Sequence, residues 1–388
     1  MSIMKHLAGL LLFFSIWPMV AAAEWQTKAS LSGSIEDNVF RNSSPEKDVI
    51  AEVDLRVGYA WDWEKWSALA LYESKYINFA DHADRNYLSP QITVAAQRNL
   101  EKRGWVRSGL RAQTRIDSDD YGLYDSHEFV GFVDAKFPKS DLMTFFAGYS
   151  LSNRRYDTLE ELDNLEHQLY GGLQIPLESG TTVAFNSELG YKQYLSSRDE
   201  VTTIVKGGYR RGTTVTTGTN KESINVGQWV NSLSLSTPVI DDRTGIRVSV
   251  KYRINFGDSN LLVSGLSSDH YSGNELFDDR YSYESREFGV MVSRTLPYAL
   301  MARAGYEYAQ KDYTATALDV YGNPLLTSPE RSDNYQRIWA RIEKTVLLSG
   351  KGTQLRLYGE YQKIWNDSND AYNNYNAAST TVGVELLF

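Results

Sequence analysis

The residues in this sequence best suited to chemistry are cations spaced two or four apart. Arg107, Arg111 and Arg115 are one set, and Arg247, Lys251 and Arg253 a second. In extended backbone alternate side chains share a face. Residues 105–115 therefore group Arg107, Arg111, Gln113 and Arg115 opposite Val106, Leu110 and Ala112. Residues 246–256 group Arg247, Lys251 and Arg253 opposite Ile246, Val248, Val250, Tyr252, Ile254 and Phe256. Arg56, Arg303, Arg337, Arg341 and Arg356 fall on the same parity in other stretches, as do Glu52, Asp54, Glu128, Asp134, Glu188, Glu287, Glu307, Glu343, Glu360 and Glu385. Two readings of this face are open. Opposite charges can pair across neighbouring strands and brace a wet interior. Alternatively, cations left unpaired on 105–115 and 246–256 can draw in acidic solutes.

Other chemistries have weaker support in the sequence. His82, His127, His167 and His270 all lie in or beside polar connections. A hydrolase needs a histidine against a nucleophilic serine and a carboxylate or amide, yet no G-x-S-x-G occurs and no two histidines have metal-ligand spacing. Asp117, Asp119, Asp120, Asp125, Asp157, Glu160, Glu161, Asp163, Asp278 and Asp279 make the connections acidic, without the spacing of a calcium loop. Solvated loop charge accounts for them. With no cysteine, thiolate metal sites and thiol catalysis are excluded. No catalytic residue, metal or cofactor is expected.

The elements that carry the charged faces read as strands. From residue 25 onward, stretches of about 10 to 14 residues alternate with period two, the length and pattern of tilted membrane strands. In 49–61, Val49, Ala51, Val53, Leu55, Val57 and Tyr59 oppose Glu52, Asp54 and Arg56. A charge facing lipid at mid-membrane costs about 2–4 kcal/mol, so the charged faces must turn inward. Long polar connections (37–48, 80–86, 118–126, 153–164, 196–225, 258–280, 314–334 and 366–374) alternate with tight turns (62–65, 100–104, 138–141, 178–180, 240–245, 296–297 and 349–352). That pattern predicts an all-β fold: a transmembrane, antiparallel, up-and-down β-barrel of 16 strands with both termini at the short-turn, periplasmic end. Residues 201–209 and 213–219 are rich in β-branched residues and allow 18 strands. Their poor alternation favours an extension outside the ring.

The two ends of the chain agree with this expectation. Lys5 and His6 precede an apolar run from Leu7 to Trp17, followed by Ala21, Ala22 and Ala23. The run suits a secretory signal peptide and is too short to span a membrane. The expected division is a signal peptide over 1–23 and one barrel over 24–388. Removing the leader takes away one lysine and no acid, so a net charge of −9 becomes −10. An acidic chain of this kind argues against nucleic acid as a partner. At the other end Val382, Val384, Leu386 and Phe388 form one face of a closing strand that stops on an aromatic residue, which resembles the carboxyl-terminal assembly signal of Gram-negative outer-membrane proteins. The 26 tyrosines and 9 tryptophans exceed what a soluble domain needs and suit interfacial girdles.

Asp37, Asn38, Val39 and Phe40 end the first strand, a polar loop over 43–48 leads to the apolar strand at Val49, and Asn86 and Tyr87 open the fourth strand. This opening resembles the β-barrel porins encoded beside exopolysaccharide synthesis genes. The resemblance implies a cell outer-membrane channel that exports a polysaccharide with a periplasmic export protein. Outer-membrane lipid, lipopolysaccharide and the barrel-assembly machinery are the other partners expected. A general or solute-selective diffusion porin and a barrel enzyme acting on outer-membrane lipid are the alternatives. The expected pore-lining residues are Arg107, Arg111, Arg115, Arg247, Lys251, Arg253, Arg303, Arg337, Arg341, Arg356, Glu188, Glu307 and Glu360.

Overall fold

A chain whose strands are apolar on one face and charged on the other must hide every backbone polar group to stand in lipid, and a closed ring achieves this. The computed structural model describes residues 25–140, 143–195, 201–204, 214–217, 225–241, 243–257, 280–325, 327, 329–348 and 352–388. The expected leader, His270, Asp278 and Asp279 lie outside these residues.

The strands are β1 (Trp25–Glu36), β2 (Asp48–Asp62), β3 (Trp66–Phe79), β4 (Tyr87–Asn99), β5 (Trp105–Asp117), β6 (Ser126–Ser140), β7 (Met143–Tyr156), β8 (Asn164–Pro176) and β9 (Thr182–Tyr194). They continue as β10 (Val201–Ile204), β11 (Thr214–Thr217), β12 (Asn225–Pro238), β13 (Thr244–Gly257), β14 (Tyr283–Leu296), β15 (Leu300–Thr316), β16 (Glu330–Leu347), β17 (Gln354–Ser368) and β18 (Tyr375–Leu387). Each pairs antiparallel with its neighbours, β9 passes directly to β12, and β1 closes on β18. The result is a closed barrel of 16 strands. β10 and β11 pair only with each other. At four residues each, they fall far short of the 9–11 residues that a membrane strand needs, so the 18-strand alternative is not adopted.

The connection expected over 314–334 is shorter than the sequence suggests. β15 and β16 run to 17 and 18 residues and stay paired as far as Thr316 and Glu330, with a register shift after Asp312. Outside lipid a strand needs no apolar face, so this extension shows no clean alternation.

Directly paired residues point to the same side of a sheet, and the register therefore sorts inside from outside around the ring. Leu31, Ile92, Leu110, Phe129, Leu169, Leu233, Val250, Ile342, Leu357 and Val382 face outward and stay exposed, the condition of a wall meant for hydrocarbon. At the short-turn rim Trp25, Tyr59 and Trp61 stack edge to face at 4.9 and 4.6 Å, while Trp66 carries Arg98 above its ring. These amphipathic rings suit a membrane interface. Inside, Ile50, Ile77, Phe79 and Tyr87 are almost wholly buried.

Candidate functional site: the lumen wall and the loop across its mouth

All thirteen residues expected to line a pore project from the inner parity of the ring. The register sets Arg107 against Asp134, Lys251 against Glu287, Arg303 and Glu360 against Arg341, Glu307 against Arg337, and Arg356 against Glu385. Parity follows from sequence; which charges meet follows from stagger, and of the two readings left open the paired one describes five of the six cations on 105–115 and 246–256. Arg107 donates to Asp134 at 2.8 and 2.5 Å, and Tyr170 donates to the other oxygen of the same carboxylate. Arg111 and Arg154 share Glu128, and Arg115 clasps Asp117 at 2.6 Å. Lys251 meets Glu287 at 2.6 Å, and Arg253 approaches it at 3.8 Å while donating to Gln228. The cause is geometric: neighbouring strands with the same charged parity bring opposite charges within reach. Of the six cations on the two stretches, Arg247 has no carboxylate partner among the described residues. It stands near the short-turn end.

From β15 to β17 the inner wall is a continuous charge ladder. Arg303 and Arg341 share Glu343, Arg341 and Arg337 share Glu360, and Arg337 also reaches Glu307. Arg341 lies 3.9 Å above the Tyr358 ring. Across the closure, Glu385 of β18 binds both Arg356 of β17 and Lys28 of β1. Glu343, Glu360 and Glu385 each serve two cations, which makes the wall a network whose members reinforce one another rather than a set of isolated pairs.

The mouth is narrowed by loops whose apolar tips were not legible in the sequence. The connection over 37–47 turns inward, so that Val39 and Phe40 pack on the inner-face residues Ile50, Ile77, Phe79 and Tyr87. Arg85 lies over the Phe40, Phe79 and Tyr121 rings. Adjoining this cluster through Tyr121, the residues Tyr124, Leu159 and Leu162 from two connections cover Tyr156, Tyr194 and Val226, and Arg280 reaches Glu166 and Glu188. A cavity of about 170 Å³ lies against the inner wall around the β1–β18 seam, where Ser32, Ser34, Glu52, Arg341, Tyr358 and Glu360 line it. Its hydroxyls and paired charges suit a small polar guest.

Of the described histidines, His82 fastens the inserted loop, with its ring 4.8 Å from that of Phe40, and the other two face outward. His82 bridges Asp48 at 2.7 Å and Glu46 at 2.9 Å. His127 faces outward between Thr114 and Asp157, and His167 faces outward against the Tyr149 hydroxyl.

No family model and no curated protein matches the sequence. Solved structures resemble the fold. The Acinetobacter baumannii OccAB1 structure aligns over 95% of this chain and 97% of its own, with a TM-score of 0.48 and 10% identity. Pseudomonas aeruginosa OpdK with vanillate aligns over 94% and 98%, with a TM-score of 0.47 and 10% identity. Vibrio cholerae OmpT, an outer membrane protein, aligns over 95% and 99% at 0.47 and 10%. The placement of this chain follows from its own wall. A closed, even-numbered ring with an apolar exterior, aromatic rim and short turns at one end is built for one membrane. The protein is a β-barrel of the Gram-negative outer membrane.

Proposed function

We propose that this barrel is a diffusion channel for small polar solutes. The observation that supports it most directly is the division of the ring into a hydrocarbon exterior and an interior of paired charges. Sixteen strands enclose far more cross-section than eight, which side chains fill. Because the lumen charges mostly cancel in pairs, the wall is wettable without a strong field of one sign, and so favours polarity over charge.

Polysaccharide export, the finer function implied by the resemblance, finds less support in the interior. Val39, Phe40, Tyr124 and Leu162 are buried at the mouth, where a polymer would need continuous clearance. Lipopolysaccharide and the assembly machinery are proposed partners of the channel; a periplasmic export protein belongs only to the polymer reading. We also read the protein as a non-enzyme, since the partners of the three described histidines are carboxylates, a threonine and a tyrosine rather than a serine.

Reconstitution tests this reading. Purified protein in planar bilayers is expected to give ohmic steps with little preference between potassium and chloride, and liposomes carrying it should swell in monosaccharides. Silent bilayers and unswollen liposomes would overturn it. Loss of secreted polysaccharide on deletion, with solute uptake unchanged, would restore the export reading.

A further inference from the structure

The tip of the inserted loop carries a cation that the wall does not neutralise. Arg41 forms no side-chain hydrogen bond or ion pair among the described residues, and its Nε is buried without a partner. It also has a φ of 48°, a left-handed conformation that costs a non-glycine residue about 1 kcal/mol or more.

That conformation is imposed from several sides. Asn38 donates to the Asn42 and Asn376 carbonyls and accepts from the Asn42 backbone N–H. The Arg41 N–H donates to the Asn38 carbonyl, and the Ser43 N–H to that of Tyr372. Asn42 Nδ2 donates to the Tyr372 hydroxyl. These contacts hold the backbone of Arg41 in place and so fix where its side chain departs from the loop.

The surroundings suggest what that side chain can do. On the inner wall Lys311 lies 5.5 Å from the Tyr335 ring and Glu307 stands opposite Arg337, with Arg41 within electrostatic reach of the same tyrosine. The carboxylates there are already engaged. Glu307 pairs with Arg337, and Asp333, opposite Lys311 in the register, binds Arg331, Asn366 and Ser368. Arg41 is thus a cation without a carboxylate partner among the described residues, on a loop whose neighbouring Val39 and Phe40 pack against the inner wall.

We propose that Arg41 binds small oxyanions, carboxylate or phosphate, as they enter the lumen. A guanidinium fork matches the paired oxygens of either group. The proposal rests on the channel reading for its purpose, but the binding can be measured apart from conduction.

The experiment uses the whole barrel in two formats, with benzoate and inorganic phosphate as separate probes. In bilayers each probe is added from the long-loop side; in detergent micelles its binding is followed by calorimetry. Variants are Arg41→Gln and Arg41→Lys, with heat-modifiable gel migration confirming a closed barrel. Loss of a charge-assisted contact should weaken binding and raise the half-blocking concentration by about tenfold in Arg41→Gln. Arg41→Lys should retain part of the effect. Response to only one probe would support the site and narrow its class. Silent bilayers with Arg41-dependent calorimetric binding would overturn the channel and leave this site standing. A conducting channel whose block and calorimetric binding are unchanged in Arg41→Gln, or a wild type that binds neither probe, would overturn the inference.

Discussion

At the scale of single residues, His82 shows how the loop across the mouth is fastened. Asp48 accepts hydrogen bonds from the backbone N–H groups of Val49, Ala80, Asp81 and His82, and its other contact is the His82 ring. Burial disfavours the charged imidazole, but hydrogen bonds to Asp48 and Glu46 outweigh it and raise the pKa above its usual 6.5. A raised folded pKa means that the charged clasp stabilises the fold fully below the unfolded value and is lost as pH rises through the folded value. The loop over 37–47 should therefore loosen as pH rises above the ordinary histidine value of 6.5. Trypsin, which cuts after Arg41 and Lys47, should nick wild type faster at pH 8 than at pH 6 after correction for enzyme rate. His82→Gln should show little of that difference; an equal pH dependence in both would remove the clasp.

At the scale of strands, inner and outer faces were legible because period two is recorded within each strand. Parity alone puts Val382, Val384 and Leu386 on one face of β18, and Arg107 and Lys251 on the charged faces of β5 and β13, without knowledge of pairing. Partners were not legible, because Arg107 and Asp134 are 27 residues apart and meet only through the stagger between β5 and β6. The inward turn of Asn38 to Phe40 was likewise hidden. It depends on the Asn376 carbonyl, 338 residues downstream, so the segment read as an ordinary polar loop. Packing between strands has the same non-local character at Gly383. A methyl group there would lie 2.3 Å from the Tyr358 ring, which lies against the bare backbone of the closing strand. Gly383→Ala should cost about 1–3 kcal/mol through overpacking, read as a lower temperature for loss of the compact gel form. Gly359→Ala, whose nearest neighbour is the Thr381 carbonyl oxygen at 4.0 Å, should be close to neutral. Equal effects would show that the ring moves aside freely.

At the scale of the whole barrel, the decisive event is closure of β18 on β1. Nine residue pairs join these strands, from Lys28 with Leu387 to Glu36 with Ser379, and the Lys28, Glu385 and Arg356 cluster spans the seam. Phe388 contributes little to this contact. Its backbone N–H donates to the Thr27 carbonyl at 2.9 Å, but its side chain is 53% exposed on the outer wall. Burial energy scales with area removed from water, and in lipid that term is already satisfied once the barrel is inserted. A residue that adds one backbone hydrogen bond, worth about 1 kcal/mol, is better placed to act before closure, when the edge of β18 is still unpaired. Deleting Phe388 should therefore sharply lower the amount of protein recovered in the outer membrane. The fraction that does assemble should melt within a few degrees of wild type, since a loss of about 1 kcal/mol is small beside a full ring of strand pairing. Two measurements separate the effects: membrane yield by fractionation, and the heat-modifiability midpoint of the folded fraction. Normal yield with a large drop in midpoint would reverse the assignment and make Phe388 a structural clamp.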